Sequence, residues 1–91
     1  MTLEELYSII QKRIKDLPSD SYVAALYKKG EDRILQKIGE EAIEVVLAGK
    51  GKNKKRVIEE TADLYFMTLI FLNKKGISLE DILEELEKRN H

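Results

Sequence analysis

A chain of 91 residues, 43% of them hydrophobic, has the length of a single domain spanning residues 1–91, and such a domain buries only about two-thirds of its unfolded surface when it folds alone. The formal charge of −1 excludes the basic excess typical of a nucleic-acid-binding protein, and the lack of cysteine excludes disulfides and thiolate metal sites. The N-terminus does not resemble a signal peptide, and the longest apolar run, residues 64–72, is half a membrane span, so we expect a soluble, cytoplasmic protein that binds no membrane.

The first 30 residues predict two helices. Thr2 and Glu5 have the spacing of a capping box, and leucine and isoleucine then recur at helical spacing until the segment "LPSD" ends the first helix. A short second helix, "YVAALYKK", follows a cap at Ser21 or Asp20 and closes at Gly30.

The remainder of the chain predicts three further helices. A third helix is predicted from residue 31 to about residue 48, where the glycines of "GKGKN" make its continuation unfavourable. Asn53 is placed to cap a fourth helix that runs to Lys75, with Gly76 just beyond its end, and Ser78 is placed to cap a fifth. No segment alternates with the period of a strand. The sequence therefore predicts an all-α fold, an antiparallel bundle of four to five helices.

The second half of the fourth helix, "LYFMTLIFL", is apolar at every position except Thr68, so it is hydrophobic around its whole circumference. One layer of short helices is too small to cover it, which favours a homodimer formed through this central helix. The alternative is that the shorter helices cover it within one chain. In either arrangement we expect Tyr65 to pack in a core.

Two carboxylate pairs lie beside apolar surfaces on the third and fourth helices. The predicted core stripe of the third helix consists of Ile34, Ile38, Ala42, Val45 and Val46. Glu41 and Glu44 flank this stripe, and Glu60 and Asp63 share a face with apolar residues of the fourth helix. If the two helices return antiparallel, the four carboxylates converge, and an all-oxygen ligand set suits Mg²⁺ or Mn²⁺ better than Zn²⁺.

The alternative for these carboxylates is that they are solvated and pair with nearby lysine or arginine. Basic residues do lie close by: Arg33 and Lys37 occupy the flank of Glu41, where a phosphate contact and an intrahelical ion pair are equally plausible. Tyr22 is one of the tyrosines with a ring that can stack on a nucleotide base. The only histidine, His91, is assigned no role.

Three segments carry a resemblance to a known family. They are "SYVAALYKKGEDRILQKIGEEAIEVVLAGK", "VIEETADLYFMTLIFL" and "GISLEDILEEL". Together they resemble the phosphoribosyl-ATP pyrophosphohydrolases of histidine biosynthesis, which belong to the all-α MazG-type nucleotide pyrophosphohydrolases. The resemblance implies a dimeric helical bundle that uses Mg²⁺ to hydrolyse N1-(5-phosphoribosyl)-ATP to phosphoribosyl-AMP and pyrophosphate.

The resemblance also implies roles for individual residues. The implied metal ligands are Glu41, Glu44, Glu60 and Asp63. Glu40 is implied to hold or deprotonate the attacking water, and the residues implied to bind the phosphates are Lys28, Arg33 and Lys37. Phe66 and Met67 depart from the family pattern, because relatives often have Tyr-His at these two positions.

Two other functions remain open at this stage. A pyrophosphohydrolase that removes ordinary or damaged nucleoside triphosphates would use the same metal ligands, and a helical dimerisation module would use the charged residues only as ion pairs. The 91 residues leave no room for the cyclohydrolase domain fused to many relatives. We therefore expect the next step of the pathway to be performed by a separate phosphoribosyl-AMP cyclohydrolase.

Overall fold

A computed structural model describes residues 1–89, which form five α-helices and no β-strand. The helices are α1 (Leu3–Asp16), α2 (Tyr22–Lys29), α3 (Glu31–Lys50), α4 (Lys54–Lys74) and α5 (Leu79–Lys88). The all-α prediction is confirmed, and His91 lies outside the described residues. Across residues 1–89, no helix combines the length and hydrophobicity needed to cross a bilayer.

The predicted helix starts are confirmed at the level of single hydrogen bonds. The Thr2 hydroxyl accepts from the Glu5 backbone N–H at 3.0 Å, and the Glu5 carboxylate accepts from the Thr2 N–H at 3.2 Å, which completes the capping box of α1. Ser21, and not Asp20, caps α2, and Ser78 caps α5. Local side-chain chemistry therefore fixes where these helices begin.

Two glycines set the directions of neighbouring helices. Gly30 has a φ of +98° and joins α2 to α3 with no other residue between them. Gly76 has a φ of +68° and ends α4 in a Schellman motif, in which the Ile77 N–H donates to the Leu72 carbonyl at 2.9 Å and the Gly76 N–H donates to the Asn73 carbonyl at 3.0 Å. After this motif the chain leads into α5.

Helices α3 and α4 form an antiparallel hairpin that makes up most of the bundle. Only residues 51–53 separate them, and an ion pair between Lys75 and Glu31 ties the end of α4 to the start of α3. Helices α1 and α2 pack across this hairpin. Ile10, Ile34 and Ile70 are fully buried where α1, α3 and α4 meet. The hairpin thus brings the two carboxylate pairs opposite each other.

Two predictions about the core are wrong for the single chain. Val46 was assigned to the core stripe of α3 and is 63% exposed, and Tyr65 of α4 is 54% exposed. Both residues lie on the long hairpin, and the short helices α1 and α2 cover only part of its circumference. Met67 and Ile70, on the covered side of α4, are buried as expected.

An apolar groove runs between α4, α5 and the start of α1. Its volume is about 390 Å³, and it is lined by Leu3, Leu64, Tyr65, Thr68, Leu69, Leu72, Leu79, Ile82 and Leu86. The Thr68 hydroxyl donates to the Leu64 carbonyl at 2.8 Å, so the polar group of this side chain is satisfied within α4. None of the α5 residues is buried. Much of the apolar surface of α4 and α5 is therefore uncovered in one chain.

Candidate active site

Three of the four predicted metal ligands lie together where α3 crosses α4. Glu41 on α3 and Glu60 and Asp63 on α4 each place a carboxylate oxygen within 4.8 Å of the other two. The antiparallel hairpin produces this arrangement, because the i, i+3 spacing places Glu60 and Asp63 on the side of α4 that faces α3. Carboxylate oxygens grouped in this way form a donor set for a hard divalent cation.

We define the acid cluster as Glu41, Glu60 and Asp63. Its surroundings disfavour the charged form of Glu60. Burial raises the pKa of the Glu60 carboxyl, and the negative charges of Glu44, Asp63 and Glu41 raise it further. The nearby Arg56 guanidinium opposes this rise but does not cancel it. A bound cation would relieve both contributions, so the residues present fit a metal site.

Glu44, the fourth predicted ligand, is paired with a cation from its own chain. The Nη2 atom of Arg56 lies 3.4 Å from Glu44 Oε2 and 3.7 Å from Glu60 Oε1. Arg56 therefore lies between the two helices at the edge of the acid cluster. Arg56 was not among the predicted site residues, although its i, i+4 spacing to Glu60 is typical of an ion pair on one face of a helix.

Glu40 takes part in a row of ion pairs along α3. Its carboxylate lies 3.8 Å from Arg33 Nη1 and 3.6 Å from Lys37 Nζ, and the same Lys37 ammonium lies 3.5 Å from Glu41 Oε1. Lys37 therefore contacts the acid cluster directly, whereas Arg33 reaches it through Glu40. Two of the three predicted phosphate-binding residues are thus assembled next to the carboxylates.

Lys28 is the predicted site residue that the structure does not bring to this group. It is exposed in the last turn of α2, and within residues 1–89 no ion pair joins it to the acid cluster. Lys28 precedes the first residue of α3 by three positions, and Gly30 connects the two helices.

Comparison with known proteins identifies the family. The model of the phosphoribosyl-ATP pyrophosphohydrolase family matches residues 3–90, nearly the entire chain. The chain belongs to this family. Its acid cluster and its all-helical bundle are therefore features of a phosphoribosyl-ATP pyrophosphohydrolase family member, as the resemblance of the three sequence segments had indicated.

Relatives of this pyrophosphohydrolase align over almost its full length. A protein of Leptospira biflexa named phosphoribosyl-ATP pyrophosphatase is 50% identical over 97% of this chain and 96% of its own length. Proteins of the same name from Metallosphaera sedula and Clostridium acetobutylicum are 46% and 47% identical, over 96% and 97% of this chain and 94% and 80% of their own lengths. The match therefore leaves about a fifth of the Clostridium acetobutylicum protein uncovered, but little of the other two.

Phe66 and Met67, the positions where the resemblance leads us to expect Tyr-His in relatives, both contact the core. Met67 is only 5% exposed and packs in the central core, and the ring of Phe66 lies against that core from the side. The Phe66 ring also stacks on Tyr22, with 6.5 Å between ring centroids and 24° between ring planes. These positions supply apolar contacts here and no polar group.

Proposed function

We propose that this pyrophosphohydrolase cleaves the anhydride between the α- and β-phosphates of N1-(5-phosphoribosyl)-ATP, the second step of histidine biosynthesis. Water is added across the P–O–P bond, so the products are phosphoribosyl-AMP and pyrophosphate, and no oxidant or other co-reactant is needed. The observation that carries this proposal is the acid cluster on the α3–α4 hairpin of a chain that belongs to this family.

The cation we propose for the acid cluster is Mg²⁺, with Mn²⁺ accepted by the same oxygen donors. Glu41, Glu60 and Asp63 would hold it, and Glu44 would join them after leaving Arg56. The chemistry that the ion supplies is positive charge against the phosphate oxygens of the substrate. The Arg56 guanidinium, once released from Glu44, is also close enough to the cluster to face a phosphate group.

The remaining site residues contribute charge and a proton acceptor. We assign Glu40 to orient the attacking water and take its proton, because its carboxylate lies one residue before Glu41 and is about half exposed. Lys37 and Arg33 would exchange their present contacts with Glu40 for contacts with the phosphates, which would also free the Glu40 carboxylate. Lys28 is assigned to a more distant phosphate.

We further propose that residues 1–91 form a single domain that works as a homodimer in the cytoplasm. The support for a dimer is the apolar groove together with the exposed side chains of α5, since a lone chain leaves this surface in water. A separate phosphoribosyl-AMP cyclohydrolase would consume the product.

The test is pyrophosphate release from phosphoribosyl-ATP with and without Mg²⁺, using ATP and deoxynucleoside triphosphates as competitors. We expect release that depends on the metal and that ordinary triphosphates hardly inhibit. Equal turnover of ordinary triphosphates would instead indicate the broader nucleotide-removing activity. No release from a folded protein would overturn the enzymatic proposal and leave the carboxylates as structural ion-pair partners.

A further inference from the structure

A second cleft lies between α1, the start of α2 and Phe66 of α4. Its volume is about 360 Å³, within the usual range for small-molecule sites. Ile9 and Val23 contribute apolar surface, and Tyr22 and Phe66 contribute aromatic rings. We call it the aromatic cleft. Its position follows from helix geometry, because Phe66 comes three residues after Asp63, which is about 4.5 Å along the axis and about 60° around it.

The aromatic cleft also carries two charges of opposite sign. Arg13 approaches it from α1, and Asp20 approaches it from the turn before α2. Within residues 1–89 neither side chain forms an ion pair. Tyr22 is 54% exposed although its ring stacks on Phe66, so part of this side chain is accessible to a ligand. A flat cationic group with an attached anion would satisfy all of these features.

We propose that the aromatic cleft binds the N1-alkylated purine of the substrate and selects it over unmodified ATP. The proposal rests on the proposed function, because it takes the triphosphate to lie at the acid cluster. Alkylation at N1 makes adenine a much stronger base, so the ring of the substrate carries a positive charge at neutral pH, whereas the ring of ATP is neutral.

Each feature of the cleft has a role in this recognition. The accessible part of Tyr22 stacks on the purine, and an aromatic face attracts a cationic ring more strongly than a neutral one. The Asp20 carboxylate supplies the opposite charge for the alkylated ring. Arg13 is placed to bind the 5′-phosphate of the ribose attached to N1, a group that ATP lacks. Tyr22 and Asp20 are therefore specificity-determining residues.

The first test compares steady-state kinetics of phosphoribosyl-ATP hydrolysis in three variants of the full chain. In Tyr22→Leu we expect KM to rise about tenfold from the loss of base stacking, with kcat within about twofold of wild type because the acid cluster is untouched. Tyr22→Phe retains the stacking ring and should keep the wild-type KM. Tyr27→Leu removes a tyrosine from the other end of the same helix and serves as the matched control.

Asp20→Asn tests the charge preference through inhibition by ATP and by its analogue N1-methyl-ATP. We expect N1-methyl-ATP to inhibit wild type at least about tenfold more strongly than ATP does, and Asp20→Asn to weaken inhibition by N1-methyl-ATP while leaving that by ATP unchanged. An unchanged KM in Tyr22→Leu, or equal inhibition by ATP and N1-methyl-ATP, would overturn the cleft assignment. In that case, turnover by the wild-type protein would still support the proposed function. A wild-type protein without turnover would overturn both.

Discussion

The Nη2 atom of Arg56 lies 3.4 Å from Oε2 of Glu44, so a guanidinium from α4 holds one predicted metal ligand on α3 while the other three ligands lie together. The same atom is 3.7 Å from Glu60. Arg56 therefore supplies part of the positive charge that the carboxylates require in the absence of a metal ion. A cation entering the acid cluster must compete with it.

Replacing Arg56 should accordingly strengthen metal binding. Two unit charges about 4 Å apart interact by about 1 kcal/mol in a water-like dielectric, which fits a guanidinium that is half exposed. We expect Arg56→Ala to raise the affinity for Mn²⁺ about fivefold in isothermal titration calorimetry. Arg89→Ala, which removes a similar exposed ion pair with Glu85 on α5, is the control and should change nothing. A weaker affinity in Arg56→Ala would show that Arg56 supports the site instead of competing with the metal.

Removing the charge of Glu60 should stabilise the metal-free protein. Because the pKa of Glu60 is raised in the folded state, folding is favoured by its protonated form, and this contribution is lost as the pH rises through the raised pKa. We therefore expect Glu60→Gln to have a higher Tm than wild type at pH 7 in EDTA. The difference should vanish well below pH ~4.3, the ordinary Glu pKa.

Glu59→Gln is the matched control for this experiment, since Glu59 is an exposed neighbour on the same helix. Added Mn²⁺ should raise the Tm of wild type and of Glu59→Gln, but should have much less effect on Glu60→Gln. If metal-free Glu60→Gln had a lower Tm than wild type, this would contradict the conclusion that burial and neighbouring carboxylates disfavour ionised Glu60.

The Tyr7 hydroxyl gives the fold a separate dependence on alkaline pH. It donates a 2.6 Å hydrogen bond to the Ile77 carbonyl, and burial raises the pKa of Tyr7 above its usual value of 10.0. We expect Tyr7→Phe to lower the free energy of unfolding by about 1 kcal/mol at pH 7. This advantage of wild type should be lost as the pH rises through the raised pKa of Tyr7.

Urea denaturation at a series of pH values would measure this effect. Tyr27→Phe provides the comparison, because the ring of Tyr27 contacts Lys74 and forms no hydrogen bond to the α4–α5 connection among the described residues. Equal stability of wild type and Tyr7→Phe at pH 7 would show that the hydroxyl bond contributes nothing in water.

The proposed dimer can be tested by placing a charge in the apolar groove. Ile82 lines this groove and is 39% exposed in one chain. We expect sedimentation equilibrium to give the mass of two chains for wild type and of one chain for Ile82→Lys, because a buried unpaired ammonium strongly disfavours association. Ile9→Lys, at an exposed isoleucine of α1 outside the groove, should remain dimeric. A monomeric wild type would refute the dimer.

The helix boundaries could be predicted because they are decided locally. The capping box of Thr2 and Glu5 and the glycine at position 76 act on hydrogen bonds within a few residues, and the structure places both where the sequence predicted. Helix α3 continues past Ala48 to Lys50, a difference of two residues at its C-terminal end.

The surroundings of individual side chains were harder to predict because they depend on distant residues. Helical periodicity assigned Val46 to the core, but which side of α3 is covered depends on where α1 and α2 pack. The pairing of Glu44 with Arg56 joins residues twelve apart across a turn, and periodicity along one helix contains no information about it. The acid cluster was predictable only because a short loop forces α3 and α4 to be antiparallel.

The most direct test of the metal-dependent hydrolysis is the rate of pyrophosphate release from phosphoribosyl-ATP by Glu41→Gln at saturating Mg²⁺, compared with Glu59→Gln. Glu41→Gln keeps the shape of the side chain and removes a carboxylate from the acid cluster, so we expect a rate at least ~100-fold below wild type, with unchanged helical circular dichroism. Glu59→Gln should retain the wild-type rate. A Glu41→Gln protein that turns over as fast as Glu59→Gln would contradict the assignment of the acid cluster as the catalytic metal site.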